Sequence, residues 1–262
     1  MKKYAIKILN ILVATLFWVG IWYAVAAIVD LNMIVPMPHT VFRVLTELII
    51  TPDFWVSTLY SILRVMIGIL ISICLGGIIA YAVSASKICN AIISPMISVI
   101  KATPVASFIV IAFLWFSTSA LPSFIATLVV IPIIVANLSQ GISSVDPQLK
   151  EVARIYRFSP IKKLKLLYVP SIFPYFLTAC KASFGMAWKA SVAAELIVAT
   201  KRSIGEALYY GKQNFEAENI FAWTIVIVIL SVLSEKLSII LLNKLGEKVS
   251  LKRKGDRHAA DR

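Results

Sequence analysis

Few side chains in this sequence are placed to do bond-making chemistry. The two histidines, His39 and His258, stand far apart, and the three cysteines, Cys74, Cys89 and Cys180, are separated by long apolar runs. That spacing offers neither a disulfide framework nor a Cys/His metal site. No convergent set of nucleophile, base and acid is visible, so no catalytic residue is expected. No Gly-x-x-x-x-Gly-Lys-Ser/Thr phosphate loop occurs either, so any ATP hydrolysis must come from another polypeptide. What remains is charge in apolar surroundings. Arg64, Lys101, Lys181, Lys189 and Glu195 fall in or beside apolar stretches. At bilayer depth each costs at least about 2.5–3.5 kcal/mol, so such groups face protein or water. Lys181, Trp188 and Glu195 recur every seven residues and share one helical face, among Ala182, Ser183, Gly185, Ala187, Ala190, Ser191, Ala193 and Ala194. Small residues permit close helix approach or a polar passage. The face therefore borders a path or a subunit interface, or else its end charges snorkel to the two membrane surfaces. Lys189, deeper in the outer half, calls for a protein partner. Lys101 opens the break at Ala102-Thr103-Pro104, and Arg64 is expected to be paired structurally or to snorkel.

The elements that must position these residues are membrane helices. The chain of 262 residues is 60% hydrophobic and 15% charged, with a mean hydropathy of +0.88. Ordinary soluble domains are about 45–50% apolar. Six stretches approach the roughly 20 residues that a span requires: about 8–29, 56–83, 91–116, 121–138, 169–198 and 220–242. The first is longer than a signal-peptide core, which favours a retained helix over a cleaved leader. Neither an internal repeat nor a soluble second domain is evident. The expected organisation is one all-α transmembrane permease domain over 1–262, with a core at about 56–242, a cytoplasmic loop at about 141–167 and a basic tail at 243–262.

The net charge of +13 is topological rather than a nucleic-acid footprint. The 141–167 segment holds six basic residues and the tail seven, whereas the intervening segments 31–55 and 200–219 hold only Arg43, Lys201, Arg202 and Lys212. Positive charge marks the cytoplasmic side, which places both termini there with the 141–167 segment. On the outer side, Pro36 and Pro38 break the chain before an amphipathic stretch at 41–50 expected at the interface. Ser203 and Glu206 form a capping box, and Gly211 is a natural stop, so a short helix is expected at 204–210. Pro104, Pro122, Pro132, Pro170 and Pro174 lie in or at the ends of spans as static kinks or hinges. Gly76-Gly77 marks close packing.

The 146–160 segment is the most specific. Asp146 is an N-cap with Pro147 at the first helical position, and Ser159-Pro160 repeats the device. Leu149, Val152, Ala153 and Tyr156 recur at helical spacing, an apolar stripe with basic flanks outside the membrane. It needs a lipid surface or a protein partner to cover it. The segment resembles the Glu-Ala-Ala loop of ATP-binding-cassette importer permeases: Glu-Ala-Ala, three residues, Gly, nine residues, Ile, any residue, Leu-Pro. Here the positions read Glu151-Val152-Ala153, Arg157 for the glycine, Leu167, Val169 and Pro170. Arg157 is the main departure. A left-handed turn costs a non-glycine residue roughly 1–2 kcal/mol, so either the turn is not left-handed or docking compensates. Ala102-Thr103-Pro104-Val105-Ala106, Leu114-Trp115-Phe116, Trp188 to Glu195 and Ser203-Ile204-Gly205 are similar to the nitrate/sulfonate/taurine branch.

The resemblance, which spans about 35–242, implies a type I importer permease fold in the bacterial inner membrane. It implies Glu151, Ala153, Tyr156, Arg157 and Pro170 as ATPase-coupling residues, and Lys101, Pro104, Lys181, Trp188, Lys189 and Glu195 at the path or an interface. It also implies an ATPase dimer that carries ATP and Mg, an extracytoplasmic binding protein, and a homodimer or a paired different permease. No cofactor or metal is expected in this chain. The substrate expected is a sulfonate, nitrate or similar anion, or a thiamine-precursor-like heterocycle. An ion-coupled secondary transporter is the alternative, though it leaves the loop spacing unexplained.

Overall fold

The computed structural model describes residues 2–31 and 33–260. The side chains at 2–8, 11 and 245–260, including those of the expected basic tail beyond Lys244, lie outside the described residues. Helices are the regular elements among the described residues. The α-helices are α1 (Lys2–Val29), α2 (Pro38–Ile50), α3 (Pro52–Ala85), α4 (Lys87–Ala102), α5 (Val105–Ala112), α6 (Leu121–Ser143), α7 (Pro147–Ile155), α8 (Pro160–Lys163), α9 (Val169–Ile197), α10 (Ile204–Gln213) and α11 (Ala217–Ala260). Single capping residues separate abutting helices. Thr51 accepts from the Phe54 N–H and Ser86 from the Cys89 N–H, while Pro52 supplies a first position that needs no donor.

Four helices are long and apolar enough to cross a membrane: α1, α3, α6 and α11. A fifth crossing results if α4 and α5 count together. The third span expected at 91–116 is divided at the break expected at Ala102-Thr103-Pro104. The chain bends by 102° between α4 and α5, because Pro104 brings no N–H to continue the ladder and disfavours helical geometry at Thr103. The expected span at 169–198 is also modified. α8 passes through a π-helical turn, Leu164–Tyr168, straight into α9 without a separate end. α9 is 29 residues long but less apolar, since it carries Lys181, Lys189 and Glu195.

α3, α6 and α9 form the centre. Val65 and Ile69 of α3, Ala126, Val130 and Ile134 of α6, and Phe184, Trp188 and Val192 of α9 share one buried cluster. Lipid is as apolar as leucine, so close contact rather than exclusion from water holds such helices together. A Cβ on Gly68 would lie 2.7 Å from the Ala126 Cβ, and one on Gly76 would lie 2.8 Å from Ile134. Gly76 therefore marks close packing, as expected. The Ser72 hydroxyl donates to Thr127 O and the Thr127 hydroxyl to Gly68 O across the same contact. α10 and α11 close the other side through Ile204 and Trp223, whose ring stacks on Phe54 at 5.0 Å. α1 is held near its C-terminal end, where Ala26 is buried and Trp22 Nε1 donates to Pro36 O at 3.1 Å.

Candidate coupling surface and membrane face

α7 begins as its sequence dictates. The Asp146 carboxylate accepts from the Gln148 N–H at 2.8 Å, ahead of Pro147. Its end is a Schellman motif: the Phe158 N–H reaches Ala153 O at 3.0 Å and the Arg157 N–H reaches Arg154 O at 3.1 Å. Arg157 has φ of 48°, so the turn is left-handed despite the missing glycine. Phe158 folds back against the cluster of Val145, Ala153 and Leu167, and Lys162 Nζ lies 4.6 Å from its ring centroid. Arg157→Gly removes the left-handed penalty of about 1–2 kcal/mol and adds about 0.5–1 kcal/mol of glycine entropy cost. It is expected to leave the permease equally or slightly more heat-stable, as thermal unfolding in detergent would show.

The stripe on α7 is turned relative to expectation. Ala153 is 1% exposed and packs within its own subunit, so it supports the helix from beneath instead of sharing the outer face. Leu149 and Val152 remain outward as expected, at 48% and 44% exposed, and Ile155 joins Tyr156 at the exposed end, at 72% and 73%. Sequence spacing did not single out Ile155, although its 3-residue offset from Val152 was the available signal. Glu151 and Arg157 are exposed beside the stripe. Pro170 sits in the first turn of α9, directly after the π-helical turn. It has no N–H to offer Leu166, so the ladder is already altered where the turn widens.

The expected Lys181–Trp188–Glu195 face is divided. Trp188 and Glu195 are buried inside the subunit at 1% and 0% exposure, whereas Lys181 and Lys189 are exposed. Trp188 Nε1 donates to Ser234 Oγ at 2.9 Å. Glu195 neither snorkels nor faces out. It accepts from Ser61 Oγ at 2.8 Å, from the Gly205 N–H at 3.2 Å and from Arg64 Nη1 at 3.2 Å. Arg64 is thus structurally paired, and it also donates to the carbonyls of Lys201 and Arg202. Ser61 Oγ accepts from the Ile204 N–H, which ties the start of α10 to α3. A Cβ on Gly205 would collide with the Glu195 Cβ and the backbone at 195–196, so glycine is required there. Ser61 and Gly205 were missed as Glu195 partners, though Ser61 lies one turn before Arg64. Lys101 and Pro104 are both exposed, at the α4–α5 bend.

A basic-flanked apolar helix thus projects from one end of α9, and a buried ion pair closes the other. The family of binding-protein-dependent transport system inner membrane components matches residues 72–250. The chain belongs to this family. It is similar to an aliphatic sulfonates transport permease of Bacillus subtilis, 25% identical over 87% of this chain and 83% of that one. It is also similar to a nitrate import permease of Synechococcus elongatus, at 26% over 70% and 69%, and to the taurine transport system permease of Escherichia coli, at 24% over 82% and 80%. A solved amino acid ABC transporter chain shares the fold, with a TM-score of 0.57, 17% identity and coverage of 80% of this chain and 97% of that one. A permease of this inner-membrane family is a multi-pass transport subunit of the bacterial membrane and not an enzyme; its ATPase is a separate subunit. The family also implies ATPase and binding-protein partners.

Proposed function

We propose that this permease forms the path of an ATP-driven importer for a small anion delivered by an extracytoplasmic binding protein. The observation that carries this is the outward stripe of Leu149, Val152, Ile155 and Tyr156 on α7, which leaves an apolar surface for an ATPase to cover. The Val145–Ala153–Leu167 cluster fastens α7 to the helical run from Pro160 to Ile197. That run reaches the Arg64–Glu195 pair at its far end, so movement at α7 is passed to α10 as motion of one rod. The names of the relatives favour a sulfonate, nitrate or related anion over a thiamine-precursor-like heterocycle. ATP and Mg belong to the ATPase dimer. The whole chain acts as one transmembrane domain, and two copies enclose the path.

Six crossings follow if α9 spans and α4–α5 makes one bent crossing, with both termini and α7 cytoplasmic. Lys101, Pro104, Lys181 and Lys189 then border the path, with Trp188 and Glu195 positioning α9 from behind. Cysteine labelling tests the orientation in a chain whose Cys74, Cys89 and Cys180 are replaced by alanine. A membrane-impermeant maleimide is expected to label His39→Cys and Lys212→Cys in intact cells and to leave Lys163→Cys untouched. Labelling of position 163 from outside would separate α7 from any cytoplasmic ATPase and end this proposal.

A further inference from the structure

The exposed faces of the long helices differ in kind. α3 presents Leu59, Leu63, Ile67, Leu70, Leu75 and Ile78, and α11 presents Val228, Val232, Leu233, Leu237 and Leu241, as lipid requires. The outward sector of α9 carries Lys181, Ala182, Gly185, Met186 and Lys189 instead, and it is exposed or half-buried along that length. The two lysines lie eight residues apart on one face, about 12 Å along the axis. Gly185 sits between them facing open space, since an added Cβ would meet nothing within 4 Å.

Among the described residues no carboxylate pairs with either lysine of this strip. No Asp or Glu occurs between Asp53 and Asp146, or between Glu151 and Glu195. Glu195 is committed to Arg64 on the buried side, and Glu235 makes no ion pair with either lysine. Among the described residues the ion pairs are Arg43–Glu47 and Arg64–Glu195. A second copy of the chain would bring the same uncompensated lysines and no acid from these segments. Ammonium groups in the middle of a spanning helix need water or an anion beside them.

We propose that Lys181 and Lys189 form an anion-attracting strip in the water-filled part of the path, and that a solute bearing a small oxyanion group passes from one ammonium to the next. This rests on the importer reading and deepens it by assigning the residues that select charge. The small side chains between the lysines leave room for the solute, and the paired positive charge repels cations from the same face.

Gly185→Cys is a reporter with both lysines intact, placed in the chain whose native cysteines are replaced by alanine and assembled with its ATPase. The probes are a methanethiosulfonate carrying ethylsulfonate and one carrying ethyltrimethylammonium. With each rate divided by that for a free thiol, the sulfonate reagent is expected to react about tenfold faster than the cation. Lys181→Met with Lys189→Met should bring the ratio close to one, and Lys181→Arg with Lys189→Arg should retain the preference. A ratio near one with both lysines present overturns the proposal. So does failure of both reagents to react, which would mean that the face meets lipid and the lysines snorkel to headgroup phosphates. If Gly185→Cys does not accumulate, Ala182→Cys gives the same readout from an exposed position. Retained ATPase copurification alongside a ratio near one in the reporter chain with both lysines intact would refute the strip while leaving the importer reading intact.

Discussion

Tyr156→Asp combined with Leu149→Asp is expected to abolish uptake while the permease accumulates normally in the membrane. Both side chains stand outward on α7, and neither belongs to a buried cluster of its own subunit. Covering them against an ATPase would bury apolar area that includes a tyrosine, a residue type common among energetic anchors of interfaces. An unpaired carboxylate in that contact costs several kcal/mol, enough to weaken association by more than about a hundredfold. The comparison variant is Ala153→Asp. Ala153 sits beneath the helix against Val145 and Leu167, so a charge there should damage the turn itself and lower abundance. Copurification of the ATPase, quantified beside membrane abundance, separates the two outcomes. Full copurification and full uptake by the double variant would show that α7 is not the coupling surface.

Glu195→Ala is expected to be the most damaging single substitution in the membrane body. It leaves the Arg64 guanidinium buried without its carboxylate, and breaking such a pair costs about 3–5 kcal/mol. It also strips the Gly205 N–H and the Ser61 hydroxyl of an acceptor, each worth about 1–3 kcal/mol when left buried and unsatisfied. The consequence should be local first. Arg64 holds the carbonyls of Lys201 and Arg202, and Ala199 and Arg202 are kept at φ of 46° and 53° in the same loop. Release of Arg64 frees that loop and the start of α10. Trypsin should then cut at Lys201 or Arg202 in the variant before the wild-type chain is cut there. Arg64→Met with Glu195→Met should regain part of the lost thermal stability, because removing both charges is less costly than stranding one. An unchanged melting temperature for Glu195→Ala would show that the pair is not a fastening element.

Much of this protein is determined locally, and so was legible in the residues alone. Membrane class follows from apolar run length, which no tertiary contact alters. Helix starts at α7, α8 and α10 follow from Asp146, Ser159 and Ser203, because a cap bonds to amides two or three residues away. The spacing from Glu151 to Pro170 pointed to the family for the same reason: it is a contiguous device. Periodicity grouped Lys181, Trp188 and Glu195 on one helical face but could not say which neighbour each would meet, and packing divides them into two buried residues and one exposed lysine. That depends on where α3, α6, α10 and α11 stand. Glu195 lies 131 residues from Arg64, and only the close α3–α6–α9 packing brings the two together. The inward turn of Ala153 likewise depends on Val145 and Leu167, which flank α7 in the chain and close beneath it only once the Schellman turn has reversed its direction. Local sequence thus specified the capped helix starts and the chemistry of the segments; which faces become interior was decided by packing between distant segments, since burial belongs to pairs of elements and not to either alone.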